Sequence, residues 1–418
     1  MHDLLPPESA RWRLLVDRFE TAFGAAGFGQ VSTPILEELA VFHRVGEGTD
    51  VVTKEMYEFV DRDGTTIALR PESTAGVARA FLEHHPVTPW KVWYLSQHFR
   101  HENAQKGRTR QHHQLGVEVF GVADPDLDVE VIVTLWDFLR GLGLADLRLE
   151  INDIGTAEER RRFVDALRTS LGPLAEAIDP EDRPKIEGNT LRVLDSKRTT
   201  TRRAIAAATL PTLAEFVSPD GAARFTRVLD GLAAAGIDTV VNPNLVRGLD
   251  YYNGTVFEII SGSIDAAQST VGGGGRYDGL IESLGGEPTP GFGFGAGVER
   301  ILLACDAEGV LPTPEPTIDA FVVTFGDAAG LVDLARDLVR DLRRSGLAVE
   351  RGFDGRSSKA QMKLANRSGA RFALLIGDDE LADDTVTVRD LRGDAPQTPV
   401  PLAAVADHLT GATRSARP

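Results

Sequence analysis

Apolar and polar residues alternate along this chain with two different periods, one typical of helices and one typical of strands. Near the start, apolar residues at helical spacing predict an amphipathic helix over residues 9–24, whose apolar face carries Trp12, Leu15, Val16, Phe19 and Phe23. Residues 29–34 then predict an extended segment, in which Pro34 suits an edge or an interface. The chain is therefore expected to begin with a helix and an edge strand.

Two-residue alternation predicts strands in the next stretch. Residues 57–69 form a predicted β-hairpin that turns at Asp63-Gly64. A helix follows, with Pro71 at its first helical position. Taken alone, Glu72 and Thr74 are then ordinary residues of a helix start.

A longer hairpin is predicted where two alternating runs, residues 91–95 and 114–120, flank a polar loop. The loop and its margins carry Arg100, Lys106, Arg108 and Arg110, against the single acid Glu102. Guanidinium groups match phosphate oxygens in a two-point fork, so the cluster favours a polyphosphate ligand, although a solvated basic surface would show the same pattern. On the return strand one face of the pleat holds Gln114, Gly116 and Glu118, and the other holds Leu115, Val117 and Val119.

Glycine marks three later segments. Residues 246–260 predict another hairpin, with its turn at Asn253-Gly254. Residues 271–279 contain four consecutive glycines, which indicate either a flexible loop or backbone that a ligand approaches closely. Residues 291–297 match a dinucleotide-binding fingerprint only in glycine content, because neither the preceding buried strand nor the later acidic residue of that motif is evident.

The patterns also predict domains. Helical spacing dominates residues 156–236, which interrupt two regions rich in predicted strands, residues 1–155 and 237–309. Three prolines in residues 310–317 mark a linker. Alternating strands and helices in residues 318–418 predict a small α/β domain with a largely parallel sheet.

Composition narrows the class of protein. The chain has 418 residues, 42% of them apolar, which is typical of a globular protein of two or three domains. Its 45 basic and 62 acidic side chains give a net charge of −17, which argues against sequence-blind nucleic-acid binding but permits a local basic track. One cysteine, no apolar run of membrane-spanning length and no signal peptide predict a cytoplasmic protein. The histidines of the long hairpin fit no common zinc spacing, so no metal site is expected.

Several stretches resemble the class II aminoacyl-tRNA synthetases, and among them the histidyl-tRNA synthetases. Residues 99–121, FRHENAQKGRTRQHHQLGVEVFG, resemble motif 2. Residues 245–253, LVRGLDYYN, resemble the peptide peculiar to the histidine enzymes, and residues 291–301, GFGFGAGVERI, are similar to motif 3. The region around Pro34 resembles motif 1, and the resemblance extends over essentially the whole chain.

The resemblance implies an enzyme that ligates histidine to tRNA(His) through a histidyl-adenylate, with ATP as substrate and Mg²⁺ accompanying it. It also implies a homodimer, and the lack of a long apolar run predicts no membrane partner. The implied fold is an α+β catalytic domain built on an antiparallel sheet flanked by helices, in two parts (residues 1–155 and 237–309). A helical insertion and a C-terminal α/β anticodon-binding domain complete it. A short N-terminal piece is expected to be missing.

Site residues follow from the same resemblance. The implied contacts to histidine are Glu72, Thr74, Gln114, Glu118, Arg247, Tyr251 and Tyr252. The implied contacts to ATP are Arg100, Glu102, Arg108 and Arg300. Arg100 and Arg247 are the implied catalytic residues, since two cations would stabilise charge that develops on the α-phosphate. Residues 271–279 would form the floor of the histidine pocket.

The chain departs from the resembled family at two places. The family usually has glycine at the position of Ser73, where a hydroxymethyl group is expected to narrow the pocket slightly. Asn103-Ala104 stands where the family commonly has Arg-Pro in the loop that contacts the tRNA acceptor end. Loss of a guanidinium there predicts altered or relaxed reading of that end.

Two alternatives come from other functional classes. The first is the catalytically inactive, synthetase-like regulatory subunit of ATP phosphoribosyltransferase, which usually lacks the C-terminal domain and an intact motif 2. The second is an RNA-binding or signalling protein on a synthetase scaffold, which predicts loss of the ATP contacts. This chain keeps the C-terminal domain and Arg100, Gln114, Glu118, Arg247, Tyr252 and Arg300, so the enzyme is favoured.

Overall fold

The computed structural model describes residues 3–46, 52, 54–101, 109–194, 196–245, 247, 249, 251–264, 269–314, 318–353, 355–393 and 395–414. The chain divides into two compact units: residues 1–4 with 11–312, and residues 5–10 with 313–418.

The strands are β1 (Gly29–Gln30), β2 (Leu36–Glu38), β3 (Tyr57–Val60), β4 (Thr66–Leu69), β5 (Trp90–Phe99), β6 (Gln111–Phe120), β7 (Leu147–Asp153), β8 (Thr239–Val241), β9 (Asn253–Ser261), β10 (Thr270–Arg276), β11 (Gly291–Gly297), β12 (Ala320–Thr324), β13 (Val349–Arg351), β14 (Phe372–Ile376), β15 (Thr385–Asp390) and β16 (Thr398–Pro401).

The α-helices are α1 (Glu8–Ala25), α2 (Leu39–Gly46), α3 (Thr74–His84), α4 (Pro125–Gly141), α5 (Ala157–Leu171), α6 (Arg183–Gly188), α7 (Leu191–Leu194), α8 (Thr199–Ala207), α9 (Pro219–Ala234), α10 (Leu280–Ser283), α11 (Val298–Glu308), α12 (Leu331–Arg344), α13 (Ser358–Arg367), α14 (Asp378–Ala382) and α15 (Val405–Arg414). Short 3₁₀ turns cover Gly172–Leu174, Leu213–Glu215 and Leu402–Ala404.

An eight-stranded sheet organises the larger unit, in the order β1-β5-β6-β11-β10-β9-β7-β8. The pairs β1–β5 and β7–β8 at its edges are parallel, and the pairs between them are antiparallel. The predicted long hairpin is the pair β5–β6, in register from Trp90 opposite Phe120 to Phe99 opposite Gln111. The two strands of this hairpin are the second and third of the sheet, so each of them is paired on both sides.

One face of the sheet packs on α1 and α4 to form the main core. The apolar face of α1 buries Leu15, Phe19 and Phe23, as its helical spacing predicts. The rings of Phe19 and Phe138, the latter on α4, meet edge to face with centroids 5.2 Å apart. Side chains of β6 complete this layer, namely Leu115, Val117 and Val119. The opposite face of β6 is thereby left for polar residues.

The small sheet, in the order β2-β4-β3, contains the first predicted hairpin. The amide of Asp61 donates to the carbonyl of Thr65, and Gly64 adopts φ +90°, so the turn lies where Asp63-Gly64 indicates. The helix after it begins later than expected, because α3 starts at Thr74. The prediction that Pro71 takes the first helical position is wrong.

A group of helices lies between β7 and β8, as helical spacing predicts. Residues 163–216 surround a separate apolar core of Phe163, Leu167, Leu171, Ile178, Ile186 and Val193. By contrast, α9 packs with the main core through Val228 and Leu232, and Arg227 on α9 pairs with Asp126 on α4. The separate helical core therefore ends before α9.

One glycine-based prediction is wrong, and for a second glycine-rich segment one of the two alternatives is excluded. Asn253-Gly254 is not the turn of a hairpin, because both residues belong to β9, which pairs with β7 and β10. Gly254 keeps its positive φ of +58° next to an irregularity in the β9–β10 register, at Arg276. The glycines of residues 271–279 do not form a flexible loop, since most of them lie in β10, a buried strand between β9 and β11.

The smaller unit contains a five-stranded sheet in the order β13-β12-β14-β15-β16. Its pairs with β12 are parallel, whereas β14–β15 and β15–β16 are antiparallel. The sheet is therefore mixed rather than largely parallel. Leu331, Leu338 and Leu342 of α12 pack into its core.

Among the residues that the structure describes, no helix is both long enough and apolar enough to cross a membrane.

Candidate active site

The polar face of β6 forms the centre of a buried site. Glu118 is 1% exposed and pairs in register with Gly293 of β11. One carboxylate oxygen accepts from Thr74 Oγ1 at 2.7 Å and from the hydroxyl of Tyr94 at 3.2 Å. The other oxygen accepts from the hydroxyl of Tyr277. Thr74 and Glu118, which are far apart in sequence, are thus in direct contact.

Burial raises the pKa of Glu118 to about 8, although hydrogen bonds from Tyr277 and Thr74 oppose the shift. In the ligand-free protein this carboxyl group therefore holds a proton near neutral pH. A ring nitrogen or another donor that enters the site would favour the ionised form, since a carboxylate accepts hydrogen bonds and a cation nearby lowers its pKa.

Glycines on the neighbouring strands give the polar side chains their space. A Cβ atom at Gly293 would lie 2.1 Å from Glu118 Oε2, and one at Gly295 would lie 2.3 Å from Gln114 Nε2. On β10, a Cβ atom at Gly273 would lie 2.6 Å from Arg247 Nη1. The glycine-rich strands are therefore a floor on which these side chains lie flat.

Glu72 lies at the N-terminus of α3, beside Glu118. Its carboxylate accepts from the amides of Thr74 at 2.6 Å and of Ala75 at 3.0 Å, so it caps the helix. Burial raises the pKa of Glu72, against the opposing hydrogen bonds from these amides and the charge of Arg100. A buried carboxylate with remaining lone pairs suits an ammonium group.

Tyrosines enclose one side of the site. The rings of Tyr251 and Tyr252 lie 4.7 Å apart between centroids, and Tyr277 contacts both edge to face, at 5.6 Å and 6.1 Å. Thr74 also hydrogen-bonds the side chain of Tyr251. Burial raises the pKa of Tyr252, although the charge of Arg247 opposes this, so its phenol remains a hydrogen-bond donor.

Arg247 adds a cation to the rim of this site. Its Nη1 donates to Glu258 Oε1 at 2.5 Å, and its guanidinium lies 5.6 Å from the centroid of the Tyr252 ring. Its Nε is buried and has no hydrogen-bond partner among the described residues. An anionic ligand oxygen would satisfy this donor.

Two further arginines lie on elements that border the same sheet. Arg100 follows β5 and its Nε donates to the carbonyl of Pro71 at 2.9 Å, which joins the hairpin to the segment before α3. Arg300 lies on α11, just after β11, and its Nη1 donates to the carbonyl of Thr270 at 3.1 Å.

Comparison with known proteins identifies the family of this chain. A family model described as histidyl-tRNA synthetase matches residues 1–301, and one described as anticodon binding domain matches residues 319–411. The chain belongs to the histidyl-tRNA synthetase family. The predicted fold class, an antiparallel-sheet α+β domain with a helical insertion and a C-terminal α/β domain, is confirmed.

Individual relatives cover nearly the whole chain. It is 44% identical over 411 residues to the histidine–tRNA ligase of Moorella thermoacetica, a match that covers 97% of this chain and 96% of the relative. It is 42% identical over 404 residues to that of Dehalococcoides mccartyi, covering 96% and 95%. Its structure resembles the apo histidyl-tRNA synthetase of S. aureus, with a TM-score of 0.82, 32% identity and 98% of each chain covered.

A more distant likeness concerns the fold alone. A structure from Bacillus halodurans, described as an ATP phosphoribosyltransferase regulatory subunit/histidyl-tRNA synthetase, matches with a TM-score of 0.62 and 21% identity. The match covers 90% of this chain and 97% of that one.

Most residues implied by resemblance to the histidyl-tRNA synthetases lie together. Glu72, Thr74, Glu118, Tyr251 and Tyr252 form one connected cluster, with Gln114 on the same face of β6 and with Arg247 and Arg100 at its margins. Arg300 lies apart from this cluster, where it contacts the first residue of β10, Thr270. Glu102 and Arg108, the other implied ATP contacts, lie outside the described residues, as do Asn103 and Ala104.

Sequence reasoning missed three members of the site, Tyr94, Tyr277 and Glu258. Tyr94 stands opposite Gly116 on β5, so two-residue alternation from the polar face of β6 would have placed it beside Glu118. Tyr277 is the first residue after β10, and its hydroxyl donates to Glu118. Glu258 lies on β9 beside Arg247, and no signal in the sequence pairs these two residues.

No group of three or more histidine, cysteine or carboxylate side chains close enough to hold a metal ion occurs among the described residues. His98 and His112 of the long hairpin are neighbours, with ring centroids 5.4 Å apart.

Proposed function

We propose that this chain ligates histidine to tRNA(His) in two steps, through a histidyl-adenylate. The observation that carries the proposal is the buried cluster of Glu72, Thr74, Glu118 and Tyr252, with Arg247 at its edge. It offers a carboxylate for an amino group, a carboxyl–phenol pair for an imidazole and a cation for a carboxylate.

Histidine fits this cluster by the chemistry of its three polar groups. Glu72 receives the α-ammonium group, with Thr74 beside it. Glu118 accepts from one ring nitrogen and Tyr252 contacts the other, so a side chain without two ring nitrogens would leave buried polar groups unpaired. Gln114 and Tyr251 line the same pocket. Arg247 faces the α-carboxylate.

In the first step a carboxylate oxygen of histidine attacks the α-phosphorus of ATP. A bond from that oxygen to phosphorus forms, the bond from phosphorus to the bridging oxygen breaks, and pyrophosphate leaves with the electron pair. Arg100 and Arg247 stabilise the charge on the α-phosphate during the attack, because fixed cations need no reorganisation as the charge develops. Arg300 binds the terminal phosphate, and Glu102 and Arg108 remain predicted ATP contacts.

Magnesium would enter with ATP and neutralise charge on its phosphates, which would supply most of its ligands together with water. In the second step a hydroxyl of the terminal ribose of tRNA(His) attacks the carbonyl carbon of the histidyl-adenylate; the ester bond forms, the bond from that carbon to the phosphate oxygen breaks, and AMP leaves with the electron pair while the hydroxyl proton passes to solvent.

The C-terminal unit is proposed to bind the anticodon of the tRNA. A cavity of about 480 Å³ there is lined by Phe321, Arg343, Glu350, Arg351, Phe353, Arg356, Leu364, Arg367 and Ser368. The guanidinium of Arg351 lies 4.8 Å from the centroid of the Phe353 ring, and that ring is 62% exposed. An exposed ring among arginines suits an unpaired base and its phosphates. Domain bounds of 1–155, 156–236, 237–309, 310–317 and 318–418 remain our assignment.

The chain is further proposed to work as a homodimer in the cytoplasm. Large apolar side chains are exposed on and beside the small sheet, namely Ile35, Leu36, Phe59 and Val60. A second subunit that covers them would remove this apolar area from water. The single cysteine, Cys305, is buried and allows no internal disulfide, which suits a reducing compartment. Light scattering measures the mass of the assembly.

Attachment of labelled histidine to a tRNA(His) transcript tests the proposed function. The wild-type protein with ATP and Mg²⁺ is expected to charge the transcript with histidine, and replacement of histidine by other amino acids is expected to abolish the product. Charging that fails with folded, dimeric protein would contradict the proposal and favour the regulatory subunit.

A further inference from the structure

Ser73 precedes α3 at the position where a serine normally caps a helix, yet its hydroxyl makes no capping hydrogen bond. The carboxylate of Glu72 accepts hydrogen bonds from the amides of Thr74 and Ala75 instead. The hydroxyl of Ser73 is therefore available for another partner, although its residue is only 1% exposed.

That partner is His98, near the end of β5. Ser73 Oγ and His98 Nε2 lie 2.8 Å apart, and His98 is fully buried. The other ring nitrogen, Nδ1, has no hydrogen-bond partner among the described residues. An unpaired buried N–H costs more than an unpaired lone pair, so the ring proton belongs on Nε2 and is donated to Ser73.

His98 is electrically neutral in this position. Burial lowers the pKa of its ring well below the usual value, and its neighbours His112, Arg100, Arg70 and His113 act in the same direction. A neutral donor of fixed tautomer gives a hydrogen bond with one orientation, because the ring cannot exchange its two nitrogens without losing it.

Further bonds tie the same segment to β5. The amide of Phe99 donates to the carbonyl of Arg70 at 3.0 Å, and Arg70 Nε donates to the carbonyl of Gln97 at 2.8 Å. Arg100 Nε donates to the carbonyl of Pro71. These bonds end at Pro71, so the hydrogen bond of Ser73 extends the attachment to the residue between Glu72 and Thr74.

We propose that Ser73 and His98 act as a positioning pair, which holds the peptide between Glu72 and Thr74 so that both side chains meet the amino group of histidine. The inference rests on the proposed function of this pocket. The pair does not touch the substrate, and a glycine at position 73 would have no hydroxyl for it. The sequence predicts that the hydroxymethyl group of Ser73 narrows the pocket. In the structure its hydroxyl is directed to His98.

Four variants and a control test the pair: Ser73→Ala, His98→Leu, their combination, His98→Gln and Ser196→Ala. Glutamine retains a donor near the position of Nε2. Ser196 is a buried serine whose hydroxyl pairs with Asp182, far from the pocket in sequence. For each protein, histidine-dependent exchange of pyrophosphate into ATP gives the KM for histidine, the KM for ATP and kcat, and thermal unfolding checks the fold.

Ser73→Ala and His98→Leu are each expected to raise the KM for histidine about fivefold to tenfold, with little change in the KM for ATP, because one buried hydrogen bond is lost. The double variant is expected to be no worse than either single variant, and His98→Gln to recover most of the loss. Ser196→Ala is expected to keep the wild-type KM.

If the wild type is active and the folded variants Ser73→Ala and His98→Leu keep its KM for histidine, the positioning role of the pair is contradicted. The proposed function is not affected by that result. Additive losses in the double variant would overturn it as well. If the wild type shows no exchange, calorimetry measures histidine binding by the same proteins. Equal affinities would overturn the pair, and absence of binding by the wild type would contradict both proposals.

Discussion

At the scale of single residues, the site depends on carboxyl groups that the fold withdraws from water. Glu118 has three hydroxyl donors around it, from Thr74, Tyr94 and Tyr277. These donors offset part of the cost of burial, but the pKa of Glu118 still rises to about 8. Glu118, the residue at which the imidazole is proposed to bind, therefore titrates near neutral pH.

The titration of Glu118 makes the stability of the ligand-free protein depend on pH. The pKa of Glu118 rises from 4.5 to about 8 on folding, so its stabilising contribution is fully present below about pH 4.5 and is lost as the pH rises through 8. Glu118→Gln removes the titration. We expect the thermal midpoint of the wild type to fall relative to this variant between about pH 5 and about pH 8, and to stay level above that range.

Thermal unfolding followed by circular dichroism across this pH range measures the difference. Glu20→Gln, an exposed change on α1, serves as the control and is expected to follow the wild type. Parallel profiles for wild type and Glu118→Gln would show that the buried carboxyl group does not titrate as described.

Residue chemistry was only partly predictable from the sequence. The two faces of β6 were predictable, because alternation separates Gln114 and Glu118 from Leu115 and Val117 regardless of context. The roles of Tyr94 and Tyr277 were not, since a tyrosine in a strand is as typical of a core as of a site. The contact of Ser73 with His98 depends on how β5 meets the start of α3, which no local pattern specifies.

At the scale of elements, the glycines of β10 and β11 give the floor its shape. Glycine content alone left a flexible loop open for residues 271–279, because glycine has no side chain with which to show strand alternation. In the structure these glycines are held by hydrogen bonds to strands on both sides. Their role is to leave space above the sheet, which is a tertiary property.

Gly293→Ala tests this role of the floor. The added Cβ would lie 2.1 Å from Glu118 Oε2 and 2.4 Å from the carbonyl oxygen of Val117, so the carboxylate or the strand must move. We expect the KM for histidine in the exchange reaction to rise by at least about tenfold, which corresponds to about 1.4 kcal/mol. Gly188→Ala, where a Cβ meets nothing within 4 Å, is the control. Equal KM values for the two variants would contradict the account of the floor.

A buried ion pair joins β10 to the first turn of α4. Arg276 and Asp128 are 3% and 1% exposed, and Arg276 Nη1 also donates to the carbonyl of Val122 at 3.1 Å. Removal of one partner leaves a buried charge, so Arg276→Met is expected to cost about 3–5 kcal/mol of stability. Urea unfolding followed by tryptophan fluorescence measures the loss.

The matched control for this pair is Arg227→Met. Arg227 pairs with Asp126 on the same helix, but both side chains are more than half exposed. Such exposed pairs contribute about 0–1 kcal/mol, so a small shift is expected. Comparable losses from Arg276→Met and Arg227→Met would show that burial does not determine the strength of these pairs.

At the scale of the whole molecule, the larger unit carries the proposed histidine site and the smaller unit carries a basic cavity. Arginines are concentrated around this cavity although the whole chain has a net charge of −17. If the cavity binds tRNA, its loss should affect the transfer step and leave the formation of the adenylate unchanged.

Arg351→Ala and Phe353→Ala are therefore expected to raise the KM for tRNA(His) by about tenfold or more, since a lost base stack or phosphate contact costs about 1–3 kcal/mol. Histidine-dependent pyrophosphate exchange is expected to stay at the wild-type level. Arg336→Ala, an exposed change on α12, is the control. Wild-type charging by both cavity variants would exclude this cavity from tRNA binding.

The altered loop at Asn103-Ala104 remains a prediction about the other end of the tRNA. Its residues lie outside those that the structure describes. Comparable charging of transcripts with and without the extra 5′ guanosine of tRNA(His) would support relaxed reading of the acceptor end. Strict dependence on that guanosine would contradict it.

The central claim is that the buried cluster is a site for histidine activation. Exchange of labelled pyrophosphate into ATP, with each amino acid in turn, tests it most directly. We predict exchange with histidine alone, lost by at least about a hundredfold in Arg247→Ala and unchanged in Arg227→Ala. Folded, dimeric protein that shows no exchange, or exchange that persists in Arg247→Ala, would contradict the account.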